Sequence, residues 1–285
     1  MDLWLTERHD DVAGHTFKVN QTLYHAQSDF QTIDIVETEA YGRMLLLDGM
    51  VMTTEKDEFI YHEMISHIPM LAHPNPKQVL VIGGGDGGTV REVLKHPSVE
   101  RVVLCEIDGM VIDSCREFLP SIAGRLDDPR VDIQVGDGVA YIAKQKKAFD
   151  VILIDSTDPL GPGEGLFTEA FYNNVLAALT PQGIMAAQSE SPIADQREIR
   201  LVYQLLHKVF PVVHTYVAPI PTYPGGFWSW SFCSNEVEPF ENVDPKRVQA
   251  IEETTKYFNS EIHKAVFALP NYVKNLVSPG VSVAC

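Results

Sequence analysis

The sequence predicts an α/β protein, a parallel sheet with helices on both faces, preceded by a small N-terminal β domain. Three observations carry this reading. From residue 78 onward, short and nearly all-apolar strand candidates alternate with helical stretches, as expected for strands buried on both sides. The first of them, Val79-Leu80-Val81-Ile82, runs into the glycine-rich turn Gly83-Gly84-Gly85-Asp86-Gly87-Gly88. Residues 1 to 56, in contrast, hold β-branched and aromatic runs broken by the turn pairs Tyr41-Gly42 and Asp48-Gly49.

Taken in order, Thr16–His25, Thr32–Thr38 and Arg43–Leu47 read as the N-terminal strands. A helix follows over Asp57–Leu71, where Phe59, Ile60, Met64, Ile65 and Ile68 fall at helical spacing. Pro74 and Pro76 punctuate a linker. The parallel strands are predicted at Gln78–Ile82, Val99–Glu106, Val131–Val135, Val151–Asp155, Ile184–Gln188 and Val212–Ala218. Helices are predicted between them at Thr89–His96, Met110–Phe118, Thr168–Leu179 and Asp195–Phe210. Phe227–Cys233 adds a last, antiparallel strand, and a helix around Arg247–Tyr257 precedes a less regular tail. The expected division is a β-strand domain over 1–56 and a Rossmann-like domain over 57–285.

A chain of 285 residues can bury a sizeable core, and 45% hydrophobic with 21% charged content is ordinary for a globular protein. The formal charge of −17 argues against nucleic acid as a partner, which needs a basic face. It suits cationic small molecules, or serves solubility alone. Cys105, Cys115, Cys233 and Cys285 show no C-x-x-C spacing, and three of them fall in predicted core elements. Reduced thiols and a cytoplasmic setting are therefore expected. The N-terminal residues show neither a basic n-region nor a long apolar run, and no stretch reaches the length of a membrane span.

Ligands of such sheets gather at the carboxyl ends of the strands. Five acids stand at four successive predicted strand ends: Asp86, Glu106, Asp137, and the pair Asp155 and Asp158. Gln188 ends the fifth strand. Gly83, Gly85 and Gly88 satisfy dinucleotide-fingerprint spacing, but Asp86 inside that turn would repel a pyrophosphate. A nucleoside carrying positive charge fits better, and sulfonium compounds of the S-adenosylmethionine type form the obvious class. Glu106 is placed to accept from both hydroxyls of a ribose. Asp137 followed by Gly138 suits an adenine edge, although Gly136-Asp137-Gly138 also reads as a simple turn. The segment from Asp155 to Gly165 is too rich in Pro and Gly to be helical and reads as an active-site loop. Its carboxylates need cations. No histidine joins them at ligand spacing, so an organic polycation fits better than a metal, and no metal is expected. His62-Glu63-Met64-Ile65-Ser66-His67 misses the zinc-protease spacing by one residue. By spacing alone Tyr61 and His62 read as packing or surface residues. Phe227, Trp228 and Trp230 read as core aromatics of the last strand or as walls of a ligand groove.

Four stretches together resemble the spermidine synthases, the polyamine aminopropyltransferases, over nearly the whole chain. They are Asp57-Glu58-Phe59-Ile60-Tyr61-His62-Glu63-Met64, Gly83-Gly84-Gly85-Asp86-Gly87-Gly88, Asp155-Ser156-Thr157-Asp158-Pro159-Leu160-Gly161-Pro162 and Ile220-Pro221-Thr222-Tyr223-Pro224-Gly225-Gly226. The resemblance implies a methyltransferase-type Rossmann domain behind the small β domain, and assembly as a homodimer or homotetramer. It implies transfer of an aminopropyl group from decarboxylated S-adenosylmethionine, a co-substrate rather than a resident cofactor, to putrescine. By the same resemblance, Gln31, Glu106, Asp137, Gly138 and Pro162 would contact the nucleoside. Asp86 would hold the aminopropyl ammonium, and Asp155 would accept the proton. Asp158 and His62 would bind the far end of the polyamine, with Tyr61, Gln188 and Tyr223 lining the groove. Three rival readings remain: a methyltransferase using the intact donor, an NAD-dependent oxidoreductase, and a silent polyamine binder. Asp86 opposes the first two, because it would repel a carboxylate or a pyrophosphate. The intact Asp155/Asp158 pair opposes the third.

Overall fold

A computed structural model describes residues 2–9, 12–157, 161–241 and 243–278, the side chains of 161 and 162 excepted. Strands β1 (Leu3–His9), β2 (Ala13–Gln27), β3 (Thr32–Thr38), β4 (Gly42–Leu47) and β5 (Met50–Thr54) pair antiparallel in that order. The Asp48-Gly49 reversal is a tight hairpin in which both residues have positive φ, 50° and 81°, with Leu47 facing Met50 across it. Two strands were not legible. The inward positions of β1 are Leu5, Glu7 and His9, so it lacks an apolar alternation, and β5 is only five residues long.

The chain then continues through α1 (Glu58–Ala72), β6 (Gln78–Gly83), α2 (Gly88–Val93), β7 (Arg101–Glu106), α3 (Gly109–Phe118) and α4 (Pro120–Ala123). Next come β8 (Val131–Val135), α5 (Gly138–Ile142), β9 (Phe149–Asp155), α6 (Glu169–Ala178), β10 (Leu179–Gln188), α7 (Gln196–Val209), β11 (Val212–Ala218) and β12 (Trp228–Ser234). Three short helices, α8 (Pro245–Glu252), α9 (Ser260–Ala265) and α10 (Asn271–Val277), follow among the described residues, where one helix and a less regular tail are expected from sequence. The segment over Gly161–Leu166, expected to be non-helical, forms a short 3-10 helix.

The second sheet has the order β11-β12-β10-β9-β6-β7-β8. Its five strands from β8 to β10 run parallel, and β12 lies antiparallel between β10 and β11. Alternate residues of each central strand serve opposite faces. Val79, Val81, Val102, Leu104, Val151 and Leu153 pack under α2, α3 and α4, together with Ile33, Ile35, Leu45 and Leu47 of the first sheet. Leu80, Ile82, Val103, Ile152 and Ile154 pack under α5, α6 and α7. Each such side chain contributes about 1.5–3 kcal/mol on full burial, which explains the apolar runs. Among the described residues no helix is long and apolar enough to cross a membrane.

Helix α1 is buried along nearly its whole length, with Met64, Ile65 and Ile68 against Tyr216, Trp230 and Phe232. Its acidic residues fasten distant segments. Asp57 accepts from Thr54 Oγ1 at 2.6 Å and from the backbone N and Oγ1 of Thr222 at 3.1 and 2.8 Å. Glu63 accepts from the backbone N–H groups of Lys256, Tyr257 and Phe258, each at 2.8 Å. Glu63→Ala leaves three backbone donors unmet, the one at Phe258 buried, and a stability loss of about 2–4 kcal/mol is expected. Urea unfolding with an unchanged m-value measures it; a loss under about 1 kcal/mol would show that other contacts hold that segment.

Candidate active site

The sheet order puts β7 and β9 on either side of β6, so the connections leaving β6 and β9 diverge and open a crevice at their carboxyl ends. A cleft of about 930 Å³, partly open to solvent, lies there. Its walls combine the β6–α2 turn, the ends of β7 and β9, Tyr61 and His62 of α1, and Gln31, Leu45, Leu47 and Met52 of the first sheet.

At one end stands Glu106, the last residue of β7. Its Oε2 accepts from Gly85 N at 3.1 Å and its Oε1 from Asp108 N at 3.0 Å. Burial pushes its carboxyl up to about 7, against the lowering effect of those N–H groups. Gln31 reaches the same end from the first sheet, where its Nε2 donates to Asp108 Oδ2 at 3.1 Å beside Ser28 Oγ at 2.6 Å. Asp137 caps α5 by accepting from Val139 N at 2.8 Å, and it also borders the cleft. Gly138 borders the cleft too. A Cβ there would lie 2.5 Å from Ile82 Cγ2, so β6 by itself demands a glycine.

The centre of the cleft is a pair of acids. Asp155 ends β9; its Oδ1 accepts from Tyr61 OH at 2.7 Å and its Oδ2 from Thr89 Oγ1 at 2.6 Å. Gly84 makes room for it: with φ +68°, a Cβ at that position would stand 2.7 Å from Asp155 Oδ2. Asp86 Oδ1 accepts from Gly88 N at 2.7 Å, while its Oδ2 faces His62 Nε2 at 3.4 Å. Burial, then the negative charge of Asp86, raise the Asp155 carboxyl above its ordinary range. Burial acts the same way on Asp86, but the neighbouring His62 outweighs it and holds that carboxyl below its ordinary range. Burial and then Asp155 raise the Tyr61 phenol far above its usual value, so Tyr61 keeps its proton and stays a donor. The arrangement concentrates negative charge where cations can enter and provides one carboxylate with two fixed donors.

Two family models divide the chain. Residues 58–246 match the spermine/spermidine synthase domain, and residues 3–55 match the spermidine synthase tetramerisation domain. The chain belongs to the spermidine synthase family. It is 50% identical over 277 residues to a polyamine aminopropyltransferase of Bacillus mycoides (strain KBAB4), covering 97% of this chain and 100% of that one. Identity to the polyamine aminopropyltransferase of Bacillus subtilis (strain 168) is 50% over 276 residues, with 97% and 99% coverage. Among solved structures, a spermidine synthase in complex with the transition-state analogue AdoDATO superposes with a TM-score of 0.94 at 48% identity, covering 96% of this chain and 94% of the other. The spermidine synthase of Thermotoga maritima gives 0.93 at 47%, with the same coverage.

Within this spermidine synthase fold the expected site residues separate. Tyr61 and His62, read from spacing as packing or surface positions, lie in the cleft wall beside Asp86 and Asp155. Tyr223 also lines it; its ring meets Tyr61 at 5.8 Å, and its hydroxyl donates to Met52 O. Trp228 and Trp230 are buried core aromatics, and Trp230 supports Tyr61 from behind at 5.5 Å. Gln188 is buried at the end of β10, its Nε2 donating to Glu190 Oε1 at 2.9 Å, and among the described residues it is not part of the cleft lining. Asp158 lies outside the described residues, and of Pro162 only the 3-10 backbone is described. Sequence reasoning missed Thr89, Asp108 and the first-sheet wall. Asp108-Gly109 ahead of an apolar helix is an N-cap signal that could have found Asp108; its Oδ1 accepts from Met110 N at 3.0 Å. Nothing local marks Leu45, Leu47 or Met52.

Proposed function

We propose that this chain transfers the aminopropyl group of decarboxylated S-adenosylmethionine to putrescine, giving spermidine and methylthioadenosine. One observation carries the reading: two half-buried carboxylates, Asp86 and Asp155, share a cleft with the buried carboxylate of Glu106. In this reading Glu106, Gln31, Asp137, Gly138 and Pro162 hold the nucleoside. Asp86 takes the ammonium of the aminopropyl arm, which an intact donor's carboxylate would disturb. The acceptor lies along Tyr61 and Tyr223, its reacting nitrogen at Asp155 and its far end toward His62 and Asp158. Gln188 is left out. No resident cofactor or metal is required, because the sulfonium is itself the activated leaving group.

The reacting amine must be free base, which costs about 4.6 kcal/mol at pH 7 from a pKa of about 10.4. A sulfonium close by lowers that cost by disfavouring the ammonium form. The nitrogen lone pair attacks the carbon next to sulfur, the C–S bond breaks, and its electron pair stays on the thioether. The new N–C bond leaves a positive nitrogen whose proton passes to Asp155. A carboxyl raised by burial and by Asp86 is the better acceptor for it, and Tyr61 with Thr89 fixes its two oxygens. Holding nitrogen, carbon and sulfur in line contributes the remaining acceleration.

The same reading divides the chain at 56/57, which the two matched spans support. It makes the protein a homotetramer through the first sheet, where Leu3 and Trp4 stand exposed on β1. It sets the enzyme in the cytoplasm, in keeping with free, buried Cys105, Cys115 and Cys233.

The decisive assay offers decarboxylated donor with putrescine, cadaverine, agmatine or a longer amine, and scores methylthioadenosine release. Putrescine should lead by at least about tenfold, or about 1.4 kcal/mol; equal rates on several diamines would make the assignment too narrow. Asp155→Asn should fold and bind donor nearly normally while turnover drops by about 10²–10⁴. Full turnover in that variant removes Asp155 from the chemistry. Glu106, sitting at about 7, offers two charge-assisted acceptor oxygens to ribose hydroxyls only as the carboxylate, so affinity for methylthioadenosine should climb as pH rises from 6 to 8. A flat calorimetric profile would count against that contact.

A further inference from the structure

Behind the cleft a row of alternating charges leads into the protein. Arg91 Nη2 meets Glu58 Oε2 at 2.7 Å, the same oxygen meets His62 Nδ1 at 2.5 Å, and His62 Nε2 faces Asp86 Oδ2 at 3.4 Å. Glu58 and His62 stand one turn apart on α1 and are nearly inaccessible, at 7% and 2% exposure. The imidazole rests on Gly88, where a Cβ would come within 2.2–2.5 Å of three ring atoms. Its other neighbours are the Tyr61 ring at 5.4 Å and the charge of Asp155 across the cleft. The ring therefore has one seat and one orientation, with a carboxylate at each nitrogen.

That seat raises a conflict. An imidazolium satisfies both carboxylates, since both ring nitrogens then donate. Yet the reading above brings ammonium groups to Asp86 and to the wall beside His62, where a second cation would repel them. The conflict resolves if the two nitrogens have different duties. We propose that Glu58, braced by Arg91, is a positioning residue that keeps a proton on Nδ1 of His62, so that the ring gives up its Nε2 proton when an amine binds. The cleft without amine then holds an imidazolium as the internal counter-ion of Asp86. The amine complex holds a neutral ring whose bare Nε2 accepts from the ammonium. The released proton goes to solvent, and no bond other than that N–H changes.

The charges facing His62 agree with this. Burial opposes a charged ring, but Asp86 and Glu58 overcome it and lift its proton affinity well above the ordinary histidine value. An ammonium at Asp86 cancels the larger of the two supports and adds a like charge. Glu58 remains, and a neutral imidazole keeps the one proton that bonds to it, as carboxylate-paired histidines do elsewhere. Arg91, held also by Glu92 at 2.9 Å, prevents Glu58 from turning toward the cleft.

The inference rests on the proposed amine site, and the test separates the two. Spermidine, which carries the aminopropyl ammonium assigned to Asp86, is titrated calorimetrically at pH 7 into enzyme saturated with methylthioadenosine, in buffers of different ionisation enthalpy. About one proton should be released per amine bound. The release, counted per amine bound at saturating concentration, should vanish in His62→Gln and fall several-fold in Glu58→Gln; weaker binding is expected in His62→Gln and does not enter that ratio. Binding to the wild type with no proton released overturns the inference and leaves the functional reading standing. Release that persists in His62→Gln assigns the proton to another group, Asp155 first, and also overturns it. No binding to the wild type sinks both. Should Glu58→Gln fail to fold, ¹⁵N spectra of the wild-type amine complex decide: a protonated Nδ1 with a bare Nε2 is expected, and the opposite tautomer refutes the role given to Glu58.

Discussion

Asp86 and Asp155 stand side by side, half-buried, at the centre of the cleft, and the partial loss of water works against charge on both. Much of the surrounding structure answers that constraint. Tyr61 and Thr89 donate to one carboxylate, Gly88 N and His62 approach the other, and Glu58 with Arg91 backs His62. The two acids do not titrate alike, because only Asp86 has the imidazole against it. A cleft built this way selects for cations by its field and for shape by its walls.

The fold supplies that pair from unconnected parts of the chain. Asp86 comes from the turn after β6 and Asp155 from the end of β9, which are adjacent strands although far apart in sequence. Helix α1, with Tyr61 and His62, is pinned over them by Asp57 to the Thr222 loop and by Glu63 to residues 256–258. Close approach there depends on absent side chains: Gly84 beside Asp155 and Gly88 beneath His62. The glycine-rich turn thus serves to crowd side chains around two acids, whereas in a dinucleotide fold it would clear space for a pyrophosphate.

Much of the architecture could be read in advance. Short, nearly all-apolar runs such as Val79-Leu80-Val81-Ile82, which serve two helical layers at once, are a local signal that identified β6 to β10 and the longer helices between them. The acids at the strand ends followed from the same rule. Where local signals were weak the reading thinned: β1 points Glu7 and His9 inward, β5 is short, and α4 and α5 span four and five residues. Gln188 shows that a strand end sets proximity to the crevice but not the direction of a side chain, since Glu190 accepts from its amide.

By itself, then, the sequence determined the central strands, the longer helices and the acids that end the strands, since each depends on neighbours within a few residues, while its family resemblance pointed to Gln31, Tyr61 and His62. Tertiary structure decided the order of the strands, brought Leu45, Leu47 and Met52 into the cleft wall, and raised the proton affinity of Glu106 and Asp155. Those properties arise from groups tens of residues apart meeting in a place with little water. Proton affinity and contact through space carry no periodicity for a sequence to reveal.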